Sequence, residues 1–141
     1  MVNDVSARIW QDRKRGGGQW TRAKSFDTFC PLGPCIRLCD HDFNHGKLWL
    51  TSSIKKKGQN DFSEMQNGNT SDLLFGVSEL VSFISQDTTL LPWTVISTGT
   101  PSGVGYTRKP PVLLEPGDVI RCEVQDIGAL ENYVKSESFL L

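Results

Sequence analysis

A chain of 141 residues, 38% hydrophobic and 22% charged, has room for one buried core and not for several. Fifteen basic and sixteen acidic side chains leave a formal net charge of −1, which gives no electrostatic reason to bind nucleic acid or an anionic membrane. No apolar run approaches the ~18 residues of a membrane span. Residues 1–25 carry Asp4, Arg8 and Asp12 where a secretory signal would need an apolar stretch.

Residues 4–15 are expected to form a short helix, with Asp4 as N-cap and Gly16-Gly17-Gly18 as its end. Residues 19–47 are rich in turn formers and show little regular period, although Trp20, Phe26, Phe29, Leu32 and Ile36 suggest an ordered excursion. Cys30, Cys35, Cys39 and Cys122 are expected to be reduced thiols. With His41 and His45 the first three invite a zinc reading, but their spacing contains no C-x2-C knuckle.

Lys47–Thr51 and Phe62–Met65 read as two strands around a Lys55–Asp61 turn. Val77, Leu80, Val81 and Ile84 fall at i, i+3, i+4 and i+7, the spacing of an amphipathic helix whose start at Gly76 lacks a side-chain cap. Thr94–Thr98, Asp118–Gln125 and Ala129–Val134 are expected strands. Short strands therefore dominate, with two accessory helices. Pro116-Gly117 and Pro92-Trp93 look like equivalent turns before strands, but Trp93 stands where a type II turn favours glycine.

Chemistry concentrates in four places. Asp4 is either a helix cap or an oxygen ligand for a hard divalent cation. Arg8 and Gln11 would share its helix face; Arg8 suits a carboxylate through its bidentate fork, or a surface ion pair. Lys24 is either solvated or placed to neutralise a developing oxyanion. Thr98-Gly99-Thr100-Pro101-Ser102-Gly103-Val104-Gly105 has the tight backbone path that offers N–H groups to anions, and it is neither a P-loop nor a dinucleotide fingerprint. Gln66–Ser71 is a second polar loop, or a turn with helix entry. No G-x-S-x-G elbow is present, which disfavours a triad hydrolase.

Asn3–Gln11, Gly18–Asp27, Gln66–Asp72, Leu80–Ser85, Thr98–Gly105 and Arg108–Val112, in this order, resemble the C-terminal catalytic domain of the fumarylacetoacetate hydrolase family, and within it the group 2 domain-containing proteins. The resemblance implies an α+β, mostly β fold, a mixed β-roll with residues 1–141 as one partial domain. It implies a homodimer that uses Mg2+ or Mn2+ on small β-keto or dicarbonyl acids. From charge, hydropathy and the polar start, no nucleic-acid or membrane partner and an intracellular setting, mitochondrial or cytoplasmic, are expected.

By the same resemblance Asp4 would be a metal ligand and Lys24 catalytic, stabilising charge beside the metal. Arg8, Gln11, Thr98 and Gly99 would bind substrate. The family's Glu-x-Glu metal pair lies upstream of its Asn-Asp motif and is not in this sequence, so a truncated chain is expected. Ala7-Arg8-Ile9 stands in place of Ala-Arg-Asp, Trp93 replaces a glycine, and Lys47–Glu64 fits the family's hairpin poorly. Two functions follow as expectations: a metal-dependent hydrolase or decarboxylase of acylpyruvate-, fumarylacetoacetate- or oxaloacetate-type acids, or an inactive remnant that at most dimerises.

Overall fold

A computed structural model describes residues 1–136. Its centre is a four-stranded antiparallel sheet of β1 (Trp49–Lys55), β2 (Ser63–Asn69), β3 (Val119–Val124) and β4 (Gly128–Tyr133), in the order β2-β1-β3-β4. Two hairpins build it. β1 turns into β2 through Lys56–Phe62, and β3 turns into β4 where Ile127 N donates to Val124 O at 3.1 Å. The period-2 pattern of Ile120, Cys122 and Val124 gives β3 as expected, and the hairpin of β1 and β2 forms despite its unusual sequence. Register shifts between Ser52 and Ser53: Ser52 faces Gln66 and Ser53 faces Glu64, leaving Met65 as the extra residue of a bulge.

The helices are short. α1 (Arg8–Gln11) and α2 (Trp20–Lys24) pack on each other, and α3 (Val77–Ile84) follows β2. α3 begins at Gly76 without a side-chain cap, as its sequence indicates. The helix expected over residues 4–15 is cut to one turn, and its N-cap is Ala7. Asp4 is not the cap, because its carboxylate is engaged by Lys24. Asp12 ends the helix instead, its Oδ1 accepting from the amides of Lys14 and Arg15 at 2.8 and 2.9 Å. After β2, Asn69 and Asp72 form a reciprocal capping box around a 3₁₀ turn at Thr70–Asp72, so the polar segment there is strand end plus helix entry.

Thr94–Thr98 does not form a strand among the described residues and has no ladder partner there. Trp93 before it adopts φ +69° with 92% of its surface exposed, the strained outcome that its place in the turn suggested. The left-handed region costs a bulky residue about 1–2 kcal/mol, partly offset because glycine loses more entropy on folding. Trp93→Gly is therefore expected to raise stability by about 0.5–1 kcal/mol in urea denaturation. An unchanged or lowered midpoint would show that the turn is not strained.

The buried apolar core is thin: Ala23, Leu48, Ile54 and Val119. Beside it Asp118 is 1% exposed, at the entry to β3. The β1–β3 register pairs Lys55 with Val119, which brings Lys56 alongside Asp118. Lys56 Nζ donates to Asp118 Oδ2 at 2.7 Å, and the amides of Glu115 and Lys57 donate to the same carboxylate at 2.8 and 2.9 Å.

Candidate functional site

One face of the sheet floors a cavity of about 610 Å3. Ser52 and Ile54 of β1, Met65 and Gln66 of β2, Ile120 of β3 and Asn132 of β4 form the floor. Its walls are the segment Asn3–Ser6 with Arg8 and Ile9, and the turn Val104–Tyr106.

The N-terminal wall is fixed by backbone pairing. Val2 bridges Leu32, Asn3 N donates to Pro31 O at 3.1 Å, and Ala7 N donates to Ala23 O at 3.0 Å. Ala23 is fully buried, so α2 cannot shift without breaking this seam. The consequence is the pairing of residues twenty apart: Lys24 Nζ donates to Asp4 Oδ2 at 2.6 Å. The two side chains are 29% and 52% exposed, so the pair itself adds about 0–1 kcal/mol to stability.

Arg8 Nη1 donates to Gln11 Oε1 at 2.8 Å, and its guanidinium lies 5.2 Å from the centroid of the Tyr106 ring. Gln11 Nε2 is buried without a partner among the described residues. The same holds for Asn3 Nδ2 and Asn132 Oδ1, both in residues of the cavity wall and floor. Asp4 and Arg8 line the cavity, whereas Lys24 and Gln11 are outside the lining and hydrogen-bonded to them.

The glycine loop is held onto β2 by two residues that open stretches carrying the family resemblance, Gln66 and Arg108, although neither is among the expected site residues. Gln66 accepts from Ser52 Oγ at 2.9 Å and donates from Nε2 to Thr100 Oγ1 and Pro101 O, both at 2.7 Å. Arg108 donates to Gly103 O at 3.2 Å and to Met65 O. The sequence places Gln66 in a polar loop, whereas the structure puts it inside β2, where its side chain crosses to the glycine loop. Thr98 and Gly99, at the head of the loop, are exposed and lie outside the cavity lining.

No three His, Cys, Asp or Glu side chains come together to hold a metal among the described residues. Asp4 offers one carboxylate with an ammonium already against it, while hard divalent ions take about six oxygens. These residues alone therefore do not fit Mg2+ or Mn2+. The zinc reading has no cluster either: the four cysteines are free, and Cys39 Sγ lies 3.9 Å from His45 Nδ1.

The fumarylacetoacetate (FAA) hydrolase C-terminal family matches residues 1–135. The human protein described as oxaloacetate tautomerase FAHD2A, mitochondrial (Homo sapiens), is 42% identical over 134 residues, covering 95% of this chain and 40% of that protein. A solved fumarylacetoacetate hydrolase from Exiguobacterium antarcticum superposes with a TM-score of 0.84 at 38% identity, over 96% of this chain and 46% of the other. A maleylpyruvate hydrolase from Sphingobium sp. SYK-6, solved with manganese(II) and pyruvate, gives a TM-score of 0.67 at 31% identity, over 83% of this chain and 39% of that one. The chain thus spans less than half the length of each of these relatives. With short helices around an antiparallel sheet, and the match running over residues 1–135, the chain belongs to the fumarylacetoacetate hydrolase family.

Proposed function

We propose that this chain carries part of an active site for small β-keto or dicarbonyl acids of the acylpyruvate, fumarylacetoacetate or oxaloacetate class. The observation that carries the reading is the 2.6 Å Lys24–Asp4 pair at the edge of a cavity that Asp4 and Arg8 line. Arg8 has five N–H donors and spends one on Gln11, which leaves its fork for a substrate carboxylate. When the carbon beside the substrate carbonyl loses a proton to water, releases CO2, or parts from an acyl carbon to which water has added and which leaves as a carboxylic acid, the electron pair passes onto the carbonyl oxygen. Lys24, held against Asp4 and outside the lining, would stabilise this enolate oxygen where the substrate carbonyl reaches the Asp4–Lys24 pair at the cavity edge. The same enolate serves hydrolysis, decarboxylation and tautomerisation. Thr98 and Gly99, outside the lining, would donate only to a substrate reaching past the cavity rim.

Asp4 is the one carboxylate these residues offer to Mg2+ or Mn2+, the cofactors that the family likeness supports. Calorimetry of the 141-residue chain with manganese chloride is expected to give a dissociation constant weaker than about 1 mM. With either ion, acylpyruvate cleavage and oxaloacetate decarboxylation or tautomerisation are expected to be weak. Asp4→Ala is expected to remove what turnover there is. Turnover that survives Asp4→Ala would defeat the site assignment.

A second reading, an inactive chain that serves at most as a dimerisation partner, is favoured by the thin core. Ile36, Leu38, Leu74, Phe83, Leu91 and Trp93 are among many large apolar side chains left exposed. β2 and β4 are edges of the sheet, each with a neighbour on one side among the described residues. Sedimentation that shows concentration-dependent association, together with no turnover, would support it. A monodisperse, cooperatively melting monomer would contradict it. The mitochondrial description of the human relative makes mitochondria the proposed compartment. No helix of the described residues is long and apolar enough to cross a membrane.

A further inference from the structure

We infer that Tyr106 is a positioning residue for the substrate carboxylate, its ring setting the plane in which Arg8 presents its free donors. The inference rests on the reading of Arg8 given above. Arg8 has a tether on one side only, the 2.8 Å bond from Nη1 to Gln11 Oε1. One hydrogen bond leaves the guanidinium free to swivel about that contact. The Tyr106 ring, 5.2 Å away, gives it a second point of support, and both residues line the cavity. A guanidinium against an aromatic face keeps its in-plane N–H groups available, which a carboxylate fork needs.

The ring is well placed for this because its backbone is tightly set. Tyr106 sits in the 3₁₀ turn Gly105–Thr107, closed by Thr107 N to Val104 O and Arg108 N to Gly105 O, both 3.2 Å. Val112 N donates to Gly105 O at 3.0 Å and clamps the turn from the other side. The Tyr106 hydroxyl makes no hydrogen bond among the described residues, and the residue is 51% exposed. The ring, not the hydroxyl, is therefore what Arg8 uses. That distinction makes phenylalanine the conservative replacement and leucine the disruptive one.

The test is titration of the 141-residue chain with pyruvate, followed by NMR, with neutral pyruvamide as control. Arg8→Ala is expected to weaken pyruvate binding at least about tenfold. Tyr106→Leu is expected to weaken it about three- to fivefold, and Tyr106→Phe to stay within about twofold of wild type. The Arg8 Nε–H resonance, shifted by the ring current in wild type and in Tyr106→Phe, is expected to move downfield in Tyr106→Leu. A chain that does not bind pyruvate, or an Arg8→Ala variant that binds it as well as wild type, overturns the Arg8 reading and this inference with it. Arg8→Ala binding that weakens while Tyr106→Leu binds like wild type overturns the role of Tyr106 alone. A Tyr106→Phe variant as weak as Tyr106→Leu would transfer the role to the hydroxyl and also overturn it.

Discussion

Asp118→Ala is expected to destabilise the chain by about 3 kcal/mol, read from chemical denaturation at neutral pH. The carboxylate accepts from Lys56 Nζ and from the backbone amides of Lys57 and Glu115. Its removal strands the two amides, whereas Lys56 keeps Leu113 O and Glu115 Oε2. Both amides belong to the turns that start β3 and end β1, so the β1–β3 pairing should loosen with them. Breaking a buried pair from one side costs roughly 3–5 kcal/mol. Lys56 is 32% exposed and can reach water, which puts the expected value at the low end. A loss below about 1 kcal/mol, the range of a surface ion pair, would mean that the cluster does not anchor the sheet.

The same cluster sets the pH dependence. Burial opposes ionisation of Asp118, but the Lys56 hydrogen bond and two backbone amides outweigh it and lower its pKa. A lowered carboxylate adds stability above its unfolded value of about 3.9 and loses it as pH falls through the folded value. Lys56 moves the other way: the Asp118 hydrogen bond raises its pKa against the cost of burial, with help from Glu115. Its contribution is complete below about 10.4 and is lost as pH rises through the raised folded value. Stability against pH should therefore show an acid limb and an alkaline limb. Both should flatten in Asp118→Ala; limbs of undiminished slope would assign them to other groups.

The second large effect is expected at Gly103. Its φ is +102°, and a Cβ there would stand 2.2 Å from the backbone oxygen of Met65. That neighbour is strand backbone and cannot turn away like a flexible side chain. Gly103→Ala thus combines a disfavoured φ with overpacking, together about 3 kcal/mol. It should also detach the loop from β2, since Arg108 holds both Gly103 O and Met65 O. Gly99→Ala is the matched control: φ is +111°, but nothing lies within 4 Å of the added carbon. It should cost only about 1 kcal/mol. Equal melting of the two variants would show that the loop does not press on the strand.

Where local periodicity decides, the sequence is a good guide. α3 follows from its i, i+3, i+4, i+7 spacing, and the β3–β4 hairpin from alternation on either side of Asp126 and Gly128. Expectations fail where a distant partner competes with a local one. Asp4 is well suited to cap a helix, but Lys24 stands close to its carboxylate only because the chain folds back along Ala7 and Ala23. Thr94–Thr98 has β-forming residues, yet a strand needs a neighbour that the segment itself cannot supply. The site divides the same way. Asp4, Arg8, Gln11 and Lys24 could be nominated from motif and family likeness, and Gln66 only as part of a polar segment, while Tyr106 and Asn132 gain meaning only from contacts across strands and loops.

Met65 and Gln66 are adjacent in sequence, and adjacent residues of a regular strand look to opposite sides. Both nevertheless reach the same hollow, because the ladder skips one residue between Ser52 and Ser53. That single irregularity lets one strand offer a thioether and an amide side by side, an oily surface next to a polar latch. Deleting Met65 would restore the even pleat and give up this doubling, and the lining would lose its apolar half at that spot. The local flaw in pairing is what gives the hollow its mixed chemistry.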